Sequence, residues 1–129
     1  MNTWTNDELS RIGKAEELQI ASLRRDGTLR NPVTIWVVRV GDDLYVRAVK
    51  GRTGPWFRGT QTRHAGRIHS GGVEKDVLFM DETNPDINER IDAVYREKYS
   101  RYPKDYVDAC LTPLARAATL ELVPRSTGL

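Results

Sequence analysis

One cysteine, Cys110, stands in a chain of 129 residues, so no internal disulfide can form and a reducing compartment is expected. The two histidines, His64 and His69, have no cysteine or acid between them, and a zinc-type site needs three or four ligands. No metal site is expected. No apolar run approaches the roughly 18 residues of a membrane span. The opening Met1-Asn2-Thr3-Trp4-Thr5-Asn6-Asp7-Glu8 lacks a basic region followed by an apolar one, so no secretory signal is expected and the setting reads as cytoplasmic. Walker loops, zinc patterns and a Ser-His-Asp order are absent as well.

The most informative absence is local. Between Leu44 and Val73 there is no aspartate or glutamate, although the chain carries 18 acids. The same stretch holds Arg47, Lys50, Arg52, Arg58, Arg63 and Arg67, both histidines, Trp56, Phe57 and six glycines. Cations, flexible backbone and aromatic faces together suit an anionic ligand with a flat ring system. The net charge of +2 hides this asymmetry.

Length and composition fit one domain spanning residues 1–129, able to bury roughly two thirds of its unfolded surface without disulfides or metal. Thr5 to Glu8 spells a capping box, with Trp4 and Leu9 at staple positions, and a helix is expected from Asn6 to about Glu17. An apolar segment, Leu18 to Leu23, runs into an Asp26-Gly27 turn. Val33 to Val40 reads as one strong strand and Leu44 to Val49 as its return, with Leu44, Val46 and Ala48 on one face and Tyr45, Arg47 and Val49 on the other.

Pro55 fits the first position of a short helix carrying Trp56, Phe57 and Arg58. Gly66 to Ser70 and Val73 to Met80 form a hairpin about Gly71-Gly72. Asn84 caps a helix with Ile87, Ile91, Val94, Tyr95 and Tyr99 at helical spacing. Pro103 can start another, bearing Tyr106, Val107 and Cys110, which Pro113 ends; Arg116 to Val123 is the last strand. The end, Leu122-Val123-Pro124-Arg125-Ser126, resembles part of a protease-cleavage tag, but the strand pattern runs into it and reads as native through Arg125.

Short turns imply antiparallel pairing, and about six strands favour a closed or partly closed barrel of mainly β (α+β) class, with the Asn84–Tyr99 helix across one opening. The expected core is Ile35, Trp36, Val37, Val38, Val46, Val77, Phe79, Ile91, Leu120 and Leu122.

Trp4 with Glu8-Leu9, the segment Ala21 to Thr28, and Ile35 to Arg47 resemble a small bacterial family of unknown function. More remotely the chain is similar to split β-barrel oxidoreductases, the deazaflavin-dependent nitroreductases and the pyridoxamine-phosphate oxidase type of flavin protein. Ile35-Trp36-Val37, Lys50-Gly51-Arg52-Thr53-Gly54, Pro55-Trp56 and Tyr102-Pro103 carry that likeness. It implies a six-stranded antiparallel split β-barrel with flanking helices, FMN or deazaflavin as cofactor, and a homodimer. It also implies that Arg47, Lys50, Gly51 and Arg52 hold a phosphate, with Trp56 and Arg58 beside the ring or substrate. Arg can grip phosphate through two parallel bonds, and Lys adds a mobile charge. No catalytic residue follows from the resemblance.

Two departures favour a non-enzymatic alternative that binds another anionic ligand or a protein partner. Gly59-Thr60 follows Arg58 where the nitroreductases carry Asn-Leu, and Asn31-Pro32-Val33 stands where the oxidases carry an Arg. A nucleic-acid-binding barrel, stacking bases on Trp56 and Phe57, ranks below both, because a pI of 8.8 is modest and acids are dense elsewhere. Cys110 reads as a small core residue, and Asp42-Asp43 and Asp81-Glu82 as solvated turns.

Overall fold

The computed structural model describes residues 3–125. Met1, Asn2 and Ser126, which enter the terminal readings above, lie outside the described residues. The order is α1 (Asn6–Lys14), β1 (Glu17–Ser22), β2 (Val33–Trp36), β3 (Val38–Val40), β4 (Asp43–Arg47), a turn of 3-10 helix (Gly51–Thr53), α2 (Pro55–Arg63), β5 (Ala65–Ser70), β6 (Val73–Asp81), α3 (Pro85–Lys98), α4 (Lys104–Ala109), α5 (Pro113–Arg116) and β7 (Thr119–Pro124). Seven strands pair in the order β2-β1-β5-β6-β7-β4-β3, every pair antiparallel. This is a nearly closed antiparallel barrel with flanking helices.

The expected single strand from Val33 to Val40 is two strands, which accounts for seven where six were expected. It breaks at Val37, and its halves form opposite ends of the sheet: Ile35 pairs with Leu18 of β1, and Val38 with Tyr45 of β4. A buried backbone group that leaves its ladder needs another partner. The C-terminal end of α3 supplies two. The Val37 N–H donates to Tyr99 Oη at 3.2 Å, and the Val37 carbonyl accepts from Lys98 Nζ at 2.6 Å. Tyr99 Oη in turn lies 2.7 Å from the Glu16 carbonyl, to which it donates.

The barrel interior is filled by Leu18, Ile20, Val46, Ile68, Val77, Phe79, Leu120 and Leu122, with Leu9 and Ile12 of α1 and Phe57 of α2 packed in the same cluster. Thr5 and Glu8 cap α1 reciprocally, and the Trp4 indole donates to the Leu122 carbonyl at 2.9 Å. The expectation that the Asn84–Tyr99 helix crosses a barrel opening is corrected. Ile91, Tyr95 and Tyr99 of α3 pack outside, against Val38 and Tyr45, in a second cluster shared with Val107 and Cys110. Strand β4 therefore has two buried faces, as its alternation required: Leu44 and Val46 look inward, Tyr45 outward under α3.

Other differences are local. Helix α1 ends at Lys14 because Ala15 is already extended, freeing Glu17 to start β1. Pro113 opens α5 rather than closing a helix, and the Thr112 hydroxyl accepts from the Ala115 N–H at 3.1 Å, so the last strand begins at Thr119. Ile35 and Trp36, expected in the core, are half-buried. The other eight expected core residues are buried.

Candidate functional site

β2, the end of β4, the loop after it, the start of α2 and helix α4 surround an open cavity of about 540 Å³. Its walls are mostly apolar. Trp36 and Trp56, both half-buried, and Tyr106, 64% exposed, offer ring surface; Val33 and Val49 form an exposed apolar rim. The Trp36 ring is held flat against Tyr99, with centroids 3.8 Å apart and an interplanar angle of 3°. Lys50 stands exposed at the edge and makes no ion pair among the described residues.

Of the six cofactor-binding candidates, the fold brings Arg47, Lys50 and Trp56 to this cavity. Gly51, Arg52 and Arg58 do not line it. Gly51 is buried against α5: with φ of 78° and a would-be Cβ only 2.6 Å from Leu114 Cδ1, the position requires glycine for space as well as for conformation. Arg52 turns away, donating to the Ala117 carbonyl at 3.0 Å and to Asp81 at 3.2 Å, over the Phe57 ring. Arg58 is exposed on α2.

Arg47 lines the cavity floor, yet its guanidinium has no N–H left for an anion. Nε donates to Thr119 Oγ1 at 2.9 Å. Nη1 donates to Asp92 Oδ1 at 2.5 Å and the Cys110 carbonyl at 2.9 Å, and Nη2 to the Asn88 carbonyl at 3.1 Å and Oδ1 at 2.9 Å. These engage all five guanidinium N–H groups, on a side chain with no exposed surface. Burial by itself raises the Asp92 pKa, but hydrogen bonds from Arg116 and Arg47 outweigh it and hold the carboxyl below its usual range. Arg47 thus ties β4 to α3, α4 and β7 beneath the cavity.

Cys110 lies in the same floor. Burial pushes its thiol up to about 11 against the opposing charge of Arg47, so it stays protonated at neutral pH. His64 caps α2 in a left-handed conformation, His69 faces outward on β5, and neither lines the cavity.

Tyr106 was legible only as part of an apolar helix stripe, and its exposure here is a tertiary outcome. Arg30 carried no sequence signal. It is half-buried next to the cavity, and its Nε is the buried side-chain atom without a hydrogen-bond partner among the described residues.

The model of a family described as an uncharacterized protein conserved in bacteria (DUF2255) matches residues 8–122. No curated protein matches the sequence. Among solved structures, a candidate pyridoxamine 5'-phosphate oxidase from Listeria innocua is similar with a TM-score of 0.65 at 14% identity, over 94% of this chain and 93% of that one. The heme storage protein HutZ from Vibrio cholerae gives 0.62 at 14% identity, over 98% and 92%. An F420-H2-dependent reductase gives 0.60 at 14% identity, over 84% and 93%. At such identities these likenesses concern the fold, and the fold they share with this chain is the split β-barrel.

Proposed function

We propose that this chain, which belongs to the bacterial DUF2255 family, holds a flat-ring redox cofactor of the flavin or deazaflavin kind and acts as an oxidoreductase on a small molecule. The observation that carries the reading is the cavity itself: Trp36 and Trp56 rings in mostly apolar walls, with Lys50, which makes no ion pair among the described residues, at the edge. That donor set fits FMN or a deazaflavin, whose ring is apolar and flat and whose tail is anionic. Trp36, held by Tyr99, and Trp56 would flank the ring, and Lys50 would meet anionic oxygen. Such a cofactor would supply hydride transfer, and the protein would position it. The names of the F420-H2-dependent reductase and of an FAD-binding protein from Mesorhizobium loti support this ligand class.

The reading includes a homodimer and a cytoplasmic setting. Val33, Val49 and Tyr106, exposed by 38, 45 and 64%, border one opening, a rim that a second copy could cover. Light scattering at micromolar concentration should then report about twice the 14.7 kDa chain mass. No helix among the described residues is long and apolar enough to cross a membrane.

A second reading is a non-enzymatic barrel for another anionic ligand or a protein partner, and its protein-partner form is favoured by one fact: Arg47, Arg52 and Arg58 offer the cavity no free cation. Titration decides between them. FMN and a deazaflavin are added to the purified protein while tryptophan emission is followed. Saturable quenching that weakens in Trp56→Ala supports the cofactor reading. An unchanged signal at millimolar ligand overturns it in favour of the second.

A further inference from the structure

A smaller hollow of about 310 Å³ adjoins the cavity, and Val33, Pro55 and Trp56 belong to the walls of both. Its remaining lining differs in kind. The apolar Ile20 stands there with Arg24, Arg30, Asn31, Ser22 and Thr60, so the hollow is basic although much of its wall is apolar, and no acid among the described residues lines it. Arg30 is only partly anchored. Its Nη2 donates to Thr62 Oγ1 at 3.1 Å, whereas its Nε–H is shut beneath α2 with no acceptor. The helix comes this close because residue 59 is glycine; a Cβ there would lie 2.9 Å from Arg30 Nε and 2.7 Å from Ser22 Oγ. An enclosed N–H without a partner is unfavourable, so the guanidinium gains by turning toward any acceptor that enters the hollow.

We propose that this hollow is an anion subsite of the cavity, in which Arg30, with Arg24 beside it, takes the phosphate of the ligand whose ring lies on the other side of Trp56. The subsite rests on the cofactor reading for the ring but not for the anion. It assigns the phosphate to residues outside the acid-free stretch. Lys50, exposed on the larger cavity, is then left for another polar oxygen of the ligand.

Riboflavin and FMN differ by one phosphate and serve as paired probes, with inorganic pyrophosphate as a ring-free one. In the wild type FMN should bind about tenfold or more tightly than riboflavin, since the phosphate adds charge-assisted bonds. In Arg30→Met that ratio should fall toward one, while Arg96→Met, exposed on α3 and outside the lining of both the cavity and the hollow, keeps it. Arg24→Met should give an intermediate ratio and guards against a folding defect at Arg30. Pyrophosphate should raise the melting temperature of the wild type and not of Arg30→Met. Equal affinity for the two flavins in the wild type, or a ratio that survives Arg30→Met, overturns the subsite and leaves the ring site standing. If neither flavin binds but pyrophosphate protects through Arg30, the ring reading falls and the anion subsite stands. If none of the three probes binds, both are overturned.

Discussion

Arg47 and Arg30 are two enclosed arginines with opposite surroundings. Arg47 has no exposed side-chain surface, and every guanidinium N–H meets an acceptor drawn from α3, α4 or β7. Arg30 is half-buried, has one side-chain partner, and leaves Nε unpaired. Enclosure alone therefore does not tell whether a cation serves the fold or a ligand; the count of satisfied N–H groups does. A saturated guanidinium is a structural joint. An unsatisfied one carries a penalty of about 1–3 kcal/mol that a ligand can remove.

The largest expected effect falls on the saturated side. Arg47→Ala leaves the Asp92 carboxylate, the Asn88 and Cys110 carbonyls and Thr119 without their shared donor. Urea unfolding should show a loss of about 3–5 kcal/mol, as for other broken buried pairs. A loss below about 1 kcal/mol would erase the contrast with Arg30.

Asp92→Asn keeps the shape and removes the charge. It should be milder, about 1.5–3 kcal/mol at neutral pH, in line with hydrogen bonds to charged groups. Because the folded carboxyl titrates below the usual 3.8, Asp92 contributes stability above that pH and loses it as pH falls through the lower folded value. The stability difference between wild type and variant should thus shrink only below about pH 4. A difference already gone at pH 6 would mean that the Arg47–Asp92–Arg116 pairing does not hold in solution.

Lys98 stands between the two arginines: it has a partner, the Val37 carbonyl, but a neutral one. Desolvation pushes its ammonium down from 10.5 to about 8. Between these values the unfolded chain binds more protons than the folded one, so this group makes stability rise with pH across that window. Unfolding of wild type and Lys98→Met from pH 7.5 to 10.5 isolates it. The wild type should gain on the variant as pH rises, and a parallel pair of curves would refute the assignment.

The smallest expected change in stability is Arg30→Met, within about 0.5 kcal/mol or slightly favourable, because it removes an unsatisfied donor along with one exposed hydrogen bond. Thermal unfolding checks it. A loss near that of Arg47→Ala would make Arg30 a joint like Arg47, and no longer a candidate for ligand.

The elements themselves were readable from the chain. The Thr5–Glu8 box, the Asn84 cap with Pro85, the Asp26-Gly27 turn and the two faces of Leu44–Arg47 are short-range signals, set by neighbours a few residues apart. They place α1, α3, the hairpin turns and the inward residues of β4, and antiparallel pairing through short turns follows from them. Trp56 at the start of a helix beside a Gly-containing loop was legible for the same reason.

Charge was different. The stretch from Leu44 to Val73 is free of acids in sequence but not in space. Asp92 comes to Arg47, Asp81 to Arg52 and Asp76 to Arg67, each from a segment outside the stretch. Coulomb attraction and desolvation act through distance in the fold, and no local pattern reports which acid will arrive. The same holds for the break at Val37, which exists because Tyr99 and Lys98 reach it from 62 and 61 residues away. The sequence by itself determined most of the strands, though not the split at Val37, together with the caps and the gathering of cations in an acid-free stretch. Only the tertiary structure decided that Arg47 is a joint, that Lys50 remains free at a cavity edge, and that Arg30, with no motif around it, is left with an unpaired N–H.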